Sequence, residues 1–380
     1  MNTTRRDFIK HSGSQAVGLL GAAGLLNSAT RAVAADVPSP LPTNSVIADK
    51  AKNAPLSMLF HGKTANECSL WQKQFSAKLA ELLGDIQPPM KWRAEEEGRR
   101  DFDDHTRYDL LLHAEGVPTV PVYLLLPKNA SKRNKVPGVL CVHGHGAHGN
   151  HPIVGRTDLE GVADSIKTAH YDYGLQFVRR GYAVAAPCMT PFGRRLAKSR
   201  SGGTDPCAVA FVRMQALGQL PMAANLRDLS WSIDLLQSRP EVASGRIGCA
   251  GLSYGGRMTM LATAMDRRIK VACVSGALNL LQERIMGRYS CGSQIIPGLL
   301  KYGDYSEIGS LIAPRPAVWE VGAKDGLITQ SWADLFKERL RSAYAAFGKP
   351  KNLQFDHYDG GHRWNGELAY PLFDEVLKNV

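Results

Sequence analysis

The chain has no Cys-x-x-Cys pair, no run of lysine and arginine, no internal repeat, no low-complexity tract and no apolar stretch long enough to cross a bilayer. Each gap narrows the function. Without Cys-x-x-Cys, a zinc or redox centre built on neighbouring cysteines is not expected. Without basic residues interleaved with aromatics, nucleic-acid binding is not expected, although the formal net charge is +11. The apolar run near the start, Ala16 to Leu26, has about 11 residues, against the roughly 20 a membrane-spanning helix needs. No stable membrane span is expected.

That first run belongs to a leader. Thr4-Arg5-Arg6-Asp7-Phe8-Ile9-Lys10 fits the twin-arginine export pattern, and Arg31-Ala32-Val33-Ala34-Ala35 supplies the small residues a signal peptidase needs. Residues 1–35 are therefore expected to be a cleaved signal peptide. The twin-arginine translocase and signal peptidase are then its partners in export to the periplasm or beyond. Arg5, Arg6, Lys10 and Arg31 against Asp7 account for +3 of the charge, leaving +8. Of the seven cysteines, Cys141, Cys249 and Cys273 sit in apolar strand-like runs and read as buried thiols. Cys68, Cys188, Cys207 and Cys291 do not, and an oxidising compartment permits one disulfide among them, with no pairing assignable.

Residues 36–100 read as an N-terminal extension with one helix, Thr64 to Gly84, carrying Leu70, Trp71, Phe75, Leu79 and Leu82 on one stripe. Residues 101–380 read as one catalytic domain. Two strands, Arg107 to Ala114 and Val120 to Pro127, are followed by alternating strands and helices. The strands are Pro137–His143, Tyr182–Pro187, Arg246–Gly251, Ile269–Ser275, Pro316–Val321 and Leu353–His357. That alternation predicts an α/β fold with a mostly parallel, doubly wound sheet of about eight strands and helices on both faces. Two long connections, Met189 to Asn225 and Ala277 to Ala313, are expected to be lid-like insertions.

Gly251-Leu252-Ser253-Tyr254-Gly255 is a G-x-S-x-G sequence between a predicted strand and a predicted helix, the context in which it marks an exposed nucleophilic serine. A serine hydroxyl needs an adjacent base. In this architecture the order is serine, acid, histidine, and Asp325 and His362 follow at 72 and then 37 residues, each on a loop after a strand. Glu320 and Asp359 are rival acids and His357 a rival base.

"RDLSWSIDLLQSRPEVASGRIGCAGLSYGGRMTMLAT" resembles the nucleophile region of α/β-hydrolases of the dienelactone hydrolase and acetyl xylan esterase type. "LIAPRPAVWEVGAKDGL" resembles their acid loop and "HGHG" their oxyanion loop, and the likeness covers roughly Arg107 to Val380. It implies an α/β-hydrolase fold and a serine esterase without a cofactor. Cys188 stands where relatives often carry an Asp or Glu, so no role of that acid carries over.

"VLCVHGHGAHGNHP" packs His143, His145, His148 and His151 together. Their spacing matches no common zinc pattern, and no metal is expected there. Ester hydrolysis instead needs two backbone N–H groups aimed at the developing oxyanion, and His145 and Tyr254 are placed to give them. Phe192, Arg194 and His148 are the candidate substrate contacts. Arg195, Arg200 and Arg213 share a connection with Arg194 and point to an anionic substrate; Tyr289, Tyr302 and Tyr305 in the other connection are candidates for stacking on a sugar. The expected activity is hydrolysis of small-molecule or carbohydrate esters, acetyl esters among them, through an acyl-enzyme on Ser253. A prolyl-oligopeptidase-like peptidase and a lactone hydrolase are the alternatives, and a non-enzymatic binding protein is a third reading that an intact triad disfavours.

Overall fold

The computed structural model describes residues 41–196, 205–288 and 290–379; the leader lies outside them. Among the described residues the strands are β1 (Arg93–Asp101), β2 (His105–His113), β3 (Val120–Pro127), β4 (Val136–Val142), β5 (Ala183–Pro187), β6 (Val242–Leu252), β7 (Ile269–Ser275), β8 (Ala317–Gly322) and β9 (Leu353–Tyr358). They form one sheet in the order β1-β2-β3-β5-β4-β6-β7-β8-β9. β1, β2, β3 and β5 pair antiparallel in turn, and every pair from β5 through β4 to β9 is parallel.

The sheet thus has nine strands where about eight were expected. The extra one, β1, reads Arg-Ala-Glu-Glu-Glu-Gly-Arg-Arg-Asp and is exposed along almost its whole length. A charged edge strand has no apolar face to produce an alternating pattern, and its charges discourage pairing with another chain. It pairs with β2 through a register shift at Gly98 and draws residues 93–100 of the expected extension into the sheet.

Helices α1 (Thr43–Lys52) and α2 (Ala65–Leu83) precede β1. Between β4 and β5 lie α3 (Val162–Ala169) and α4 (Tyr173–Arg179), and between β5 and β6 lie α5 (Pro206–Gln215) and α6 (Pro221–Ser238). Then α7 (Tyr254–Met265) follows β6, α8 (Leu281–Gly287) and α9 (Tyr305–Ser310) follow β7, α10 (Gln330–Ala346) follows β8, and α11 (Ala369–Leu377) closes the chain. The strands alternate between two cores. Leu124, Leu140 and Val142 face one, shared with Phe75 of α2, Met258 of α7 and Phe336 of α10. Leu125, Val139 and Cys141 face the other, with Phe177 of α4 and Phe373 of α11.

Helix α2 begins on a capping box in which Thr64 and Glu67 satisfy each other's backbone N–H. Its buried stripe is Cys68, Trp71, Phe75, Leu79 and Leu83. Leu70 is 59% exposed and Leu82 only packs at the margin, because a 3.6-residue period carries Leu70 about 100° round the helix from Trp71. The segment after α1 runs along the second connection. Ser57 N donates to Lys301 O at 3.1 Å and Met58 N to Tyr302 O at 2.7 Å. Gln282 Nε2 donates to Ala51 O at 2.9 Å.

Candidate active site

Strand β6 ends at Leu252 and α7 begins at Tyr254, leaving Ser253 as the turn between them, at φ 66°, ψ −123°. Such a conformation costs a non-glycine residue about 1–3 kcal/mol, and the surroundings impose it. Ser253 N donates to Ser275 O at the end of β7 (2.9 Å), and Ser253 O accepts from Arg257 N (3.0 Å). Close packing of α7 against β4 requires a glycine at 255, where a Cβ would run into Val142 O and stand 2.8 Å from the His143 carbonyl carbon.

The loops after β8 and β9 bring Asp325 and His362 together. Asp325 is almost fully buried, and its Oδ2 lies 2.7 Å from His362 Nδ1. Its other oxygen, Oδ1, accepts from Leu327 N at 2.9 Å. The two loops are stitched by Lys324 N to Gly360 O (2.8 Å) and Ala323 N to Tyr358 O (2.9 Å). From the second connection, Arg284 donates to Leu327 O and Arg288 to Gly326 O, gripping the acid loop. The His362 ring lies against Gly276, just past the end of β7: a Cβ there would stand 2.8 Å from His362 Cε1 and 3.1 Å from Leu252 Cδ1. His362 Nε2 is buried with no hydrogen-bond partner among the described residues, Ser253 Oγ included.

The rivals have other work. The Glu320 carboxylate accepts from Gly366 N (2.7 Å) and Asn365 N (3.4 Å), and burial pushes it up to about 7. It holds the histidine loop from below. Asp359 is exposed and paired with Lys324 at 2.6 Å, and His357 is exposed on β9.

The four clustered histidines also separate. His143 is buried, with Nδ1 2.7 Å from Gly144 O and Nε2 accepting from Met189 N at 2.8 Å. These partners require a neutral ring with the proton on Nδ1, and burial draws it down to about 4. His151 Nδ1 meets Tyr123 Oη at 2.8 Å, and the His148 ring stands over Gly161. Among the described residues only His145 joins a group with metal-binding spacing.

The loop after β4 lies against Ser253, since a Cβ on Gly144 would come 3.0 Å from Ser253 Cβ and 2.8 Å from Leu252 O. Gly144 N donates to Tyr171 Oη (2.8 Å), so the next amide along the chain is that of His145. Tyr254 N opens α7. Gly144→Ala, which would also run into Tyr171 Oη, is expected to push this loop off Ser253 and lower kcat by about 10²–10³-fold, the cost of losing one oxyanion donor. Steady-state kinetics checks it, with the melting temperature confirming the fold.

His143 gives a pH prediction. Between its ordinary 6.5 and about 4, the unfolded chain binds a proton that folded His143 refuses, so its contribution to stability falls as pH falls. By pH 5 the loss is about 2 kcal/mol at 1.36 kcal/mol per unit. Glu307 and Glu320, both raised to about 7 by burial, act in the opposite sense: their contribution is full below the ordinary carboxylate value and fades as pH rises through 7. Comparing urea midpoints at pH 7 and pH 5 between wild type and His143→Gln cancels the carboxylates, and the variant is expected to lose less.

Ser253 opens into a cavity of about 330 Å³ lined also by Tyr254, Arg257, Asn279, Arg284 and Gln294. A second cavity of about 300 Å³, with Ala147, Pro191, Phe192 and Leu196, shares His145 and Asp205 with it. Phe192 therefore does lie beside the site. Arg194 and His148 line neither cavity; Arg194 is ion-paired with Glu97 and Arg195 with Asp228. Arg213 is exposed on α5, and Arg200 and Tyr289 fall outside the described residues. Tyr305 is buried and bonds Gln294 O, and Lys78 stands over the half-buried Tyr302.

Two cations line the pocket, Arg284 and, inside α7, Arg257, which has no signal in the sequence. Arg257 stacks on Tyr305 with 3.6 Å to the centroid, donates to Asn279, and leaves Nε without a partner. Burial draws it down to about 10.

Comparison with known proteins agrees with this architecture. The Abhydrolase family matches residues 42–367. YtaP of Bacillus subtilis (strain 168), which carries the name of a hydrolase, is 31% identical over 290 residues, covering 75% of this chain and 92% of its own. A Bacteroides fragilis NCTC 9343 protein assigned as an acetyl xylan esterase superposes with a TM-score of 0.74 at 19% identity, over 89% of this chain and 96% of its own. A glucuronoyl esterase from Solibacter usitatus gives 0.58 at 15%, over 83% and 93%.

Proposed function

Since the chain belongs to the Abhydrolase family and has the α/β-hydrolase fold, we propose that it is a serine esterase using Ser253, His362 and Asp325. The observation that carries this reading is the 2.7 Å contact between Asp325 and His362 Nδ1, together with the strained turn at Ser253 and a His362 Nε2 that has no partner among the described residues. Ser253 Oγ attacks the ester carbonyl carbon as His362 Nε2 takes its proton. The amides of His145 and Tyr254 hold the oxyanion. Collapse expels the alcohol, which receives the proton from His362. Water then attacks the acyl-enzyme by the same route and frees the acid and Ser253. Asp325 fixes the imidazole tautomer and stabilises its cation.

The substrate best suited to this pocket is a small ester with a polar or acidic sugar portion. No carboxylate ion-pairs with Arg257 or Arg284 among the described residues, and both face the cavity. The acetyl xylan and glucuronoyl esterases named above act on esters of that kind, which supports the reading without deciding the acyl group. A fluorophosphonate probe is expected to label Ser253, and a panel of acetylated sugars, uronate methyl esters, lactones, p-nitrophenyl esters and peptide amides is expected to favour esters. Absence of labelling, or amides cleaved faster than esters, sinks the proposal. We also propose export through the twin-arginine route. Changing Arg5 and Arg6 together to lysine is expected to hold the protein in the cytoplasm, read by cell fractionation.

A further inference from the structure

Ester hydrolysis makes no use of the thiols beside the pocket. All seven cysteines are buried and unbridged, and two of them converge on the oxyanion loop. Cys207 lies in the first turn of α5, where its amide is fixed by the Asp205 carboxylate at 2.9 Å. Cys291 lies in the second connection, 146 residues from His145, yet its Sγ is 2.9 Å from His145 Nε2. The three donor atoms, His145 Nε2, Cys207 Sγ and Cys291 Sγ, all fall within 4.8 Å of one another. His145 is exposed while both cysteines are buried, and its ring is held by aromatic neighbours. Phe192 packs edge-on to it at 5.4 Å and Tyr254 at 5.1 Å.

We propose that His145, Cys207 and Cys291 form a binding site for a thiophilic divalent cation, Zn²⁺ in the first place, with the fourth position open to the cavity beside Ser253. The donor chemistry is right: two sulfurs and an imidazole suit zinc, and three protein ligands leave one place free. The spacing is close. With Zn–S near 2.3 Å and Zn–N near 2.0–2.1 Å, tetrahedral geometry sets neighbouring donors about 3.3–3.8 Å apart. The donors need move by only about an ångström to meet that. On binding, each thiol releases its proton to solvent and the imidazole coordinates through Nε2 with its proton on Nδ1. Two thiolates cancel the charge of the cation, so the complex adds no net charge to a largely buried wall. A disulfide between the same sulfurs would leave the imidazole without a purpose, and it is the competing outcome.

The ligands come from three separate segments, the oxyanion loop, α5 and the second connection. A bound cation would therefore tie the wall shared by both cavities. This inference does not depend on Ser253 being the nucleophile, because its readout is metal binding rather than ester turnover.

The test uses the full protein, freed of metal under reducing conditions and titrated with Co²⁺ alone. Wild type is expected to bind one Co²⁺ per chain with a sulfur-to-cobalt charge-transfer absorption that equimolar Zn²⁺ abolishes. Cys207→Ser and Cys291→Ser are each expected to weaken binding by more than the roughly 10–100-fold that follows loss of a residue supporting a metal ligand. Cys68→Ser, whose sulfur lies instead near Ala343 O, is expected to bind as wild type does. Circular dichroism identifies any variant that fails to fold. The proposal is overturned if wild type shows no such band, if the band survives undiminished in both cluster variants, or if peptide mapping of the unreduced protein as isolated finds Cys207 and Cys291 bonded to each other.

Discussion

Ser253→Ala is expected to lower ester turnover by about 10⁴–10⁶-fold while the protein stays folded. Removing the hydroxyl removes the attacking atom, and the rate that remains is what the oxyanion amides and binding supply to water. The fold should survive, because the bonds that hold the turn are made by the Ser253 backbone, N to Ser275 O and O from Arg257 N. Alanine suffers the same positive φ as serine. Hydrolysis of p-nitrophenyl acetate, corrected for the uncatalysed rate, measures the loss; a fall of only a few-fold would refute the nucleophile assignment.

The second large effect is expected at Asp325. Asp325→Asn is nearly isosteric, and its carbonyl oxygen can keep the bond from Leu327 N that Oδ1 accepts now. That choice turns the new NH₂ group toward His362 Nδ1, 2.7 Å from the present carboxylate oxygen. An NH₂ donor there forces the imidazole proton onto Nε2, and a protonated Nε2 cannot accept from Ser253. The cost expected is about 10⁴-fold in kcat. Arg284 and Arg288 bond backbone carbonyls of the same loop, so the loop should keep its place. Melting temperature and kcat measured together separate the wrong tautomer from a displaced loop. A loss below tenfold would move the acid's role elsewhere.

Much of this site is visible in sequence because its signals are local. The strand expected over Arg246–Gly251 and the helix expected after Ser253 appear as Val242–Leu252 and Tyr254–Met265, since a run buried on both faces and a Gly-rich turn each leave a pattern within a few residues. Asp325 and His362 stand out by their positions on loops after strands, and the fold brings the two side chains together. What escaped has no local pattern. Strand β1 carries its reason for existing in its backbone pairing to β2 rather than in an apolar face. Arg257 lies in the first turn of a buried helix, where its place gives no sign that it reaches a cavity. The arginines that were noticed, Arg194 and Arg195, are neutralised by Glu97 and Asp228 from distant parts of the chain. The histidine run shows the same limit. Spacing argued against a metal among its members, but the soft donors near His145 come from α5 and the second connection.

The pairing of residues 51–58 with the second connection also bears on when the pocket can be completed. Gln282 reaches Ala51 across 231 residues, and Ser57 bonds Lys301 across 244. On the ribosome the early segment emerges long before its partners are made. A chain stopped short of residue 280 would carry the nucleophile turn at Ser253 but lack the acid, the base and the segment that grips the acid loop. The cavity beside Ser253 is lined only from His145 to Leu327, so the early segment touches it indirectly, by bracing the second connection that supplies part of its lining.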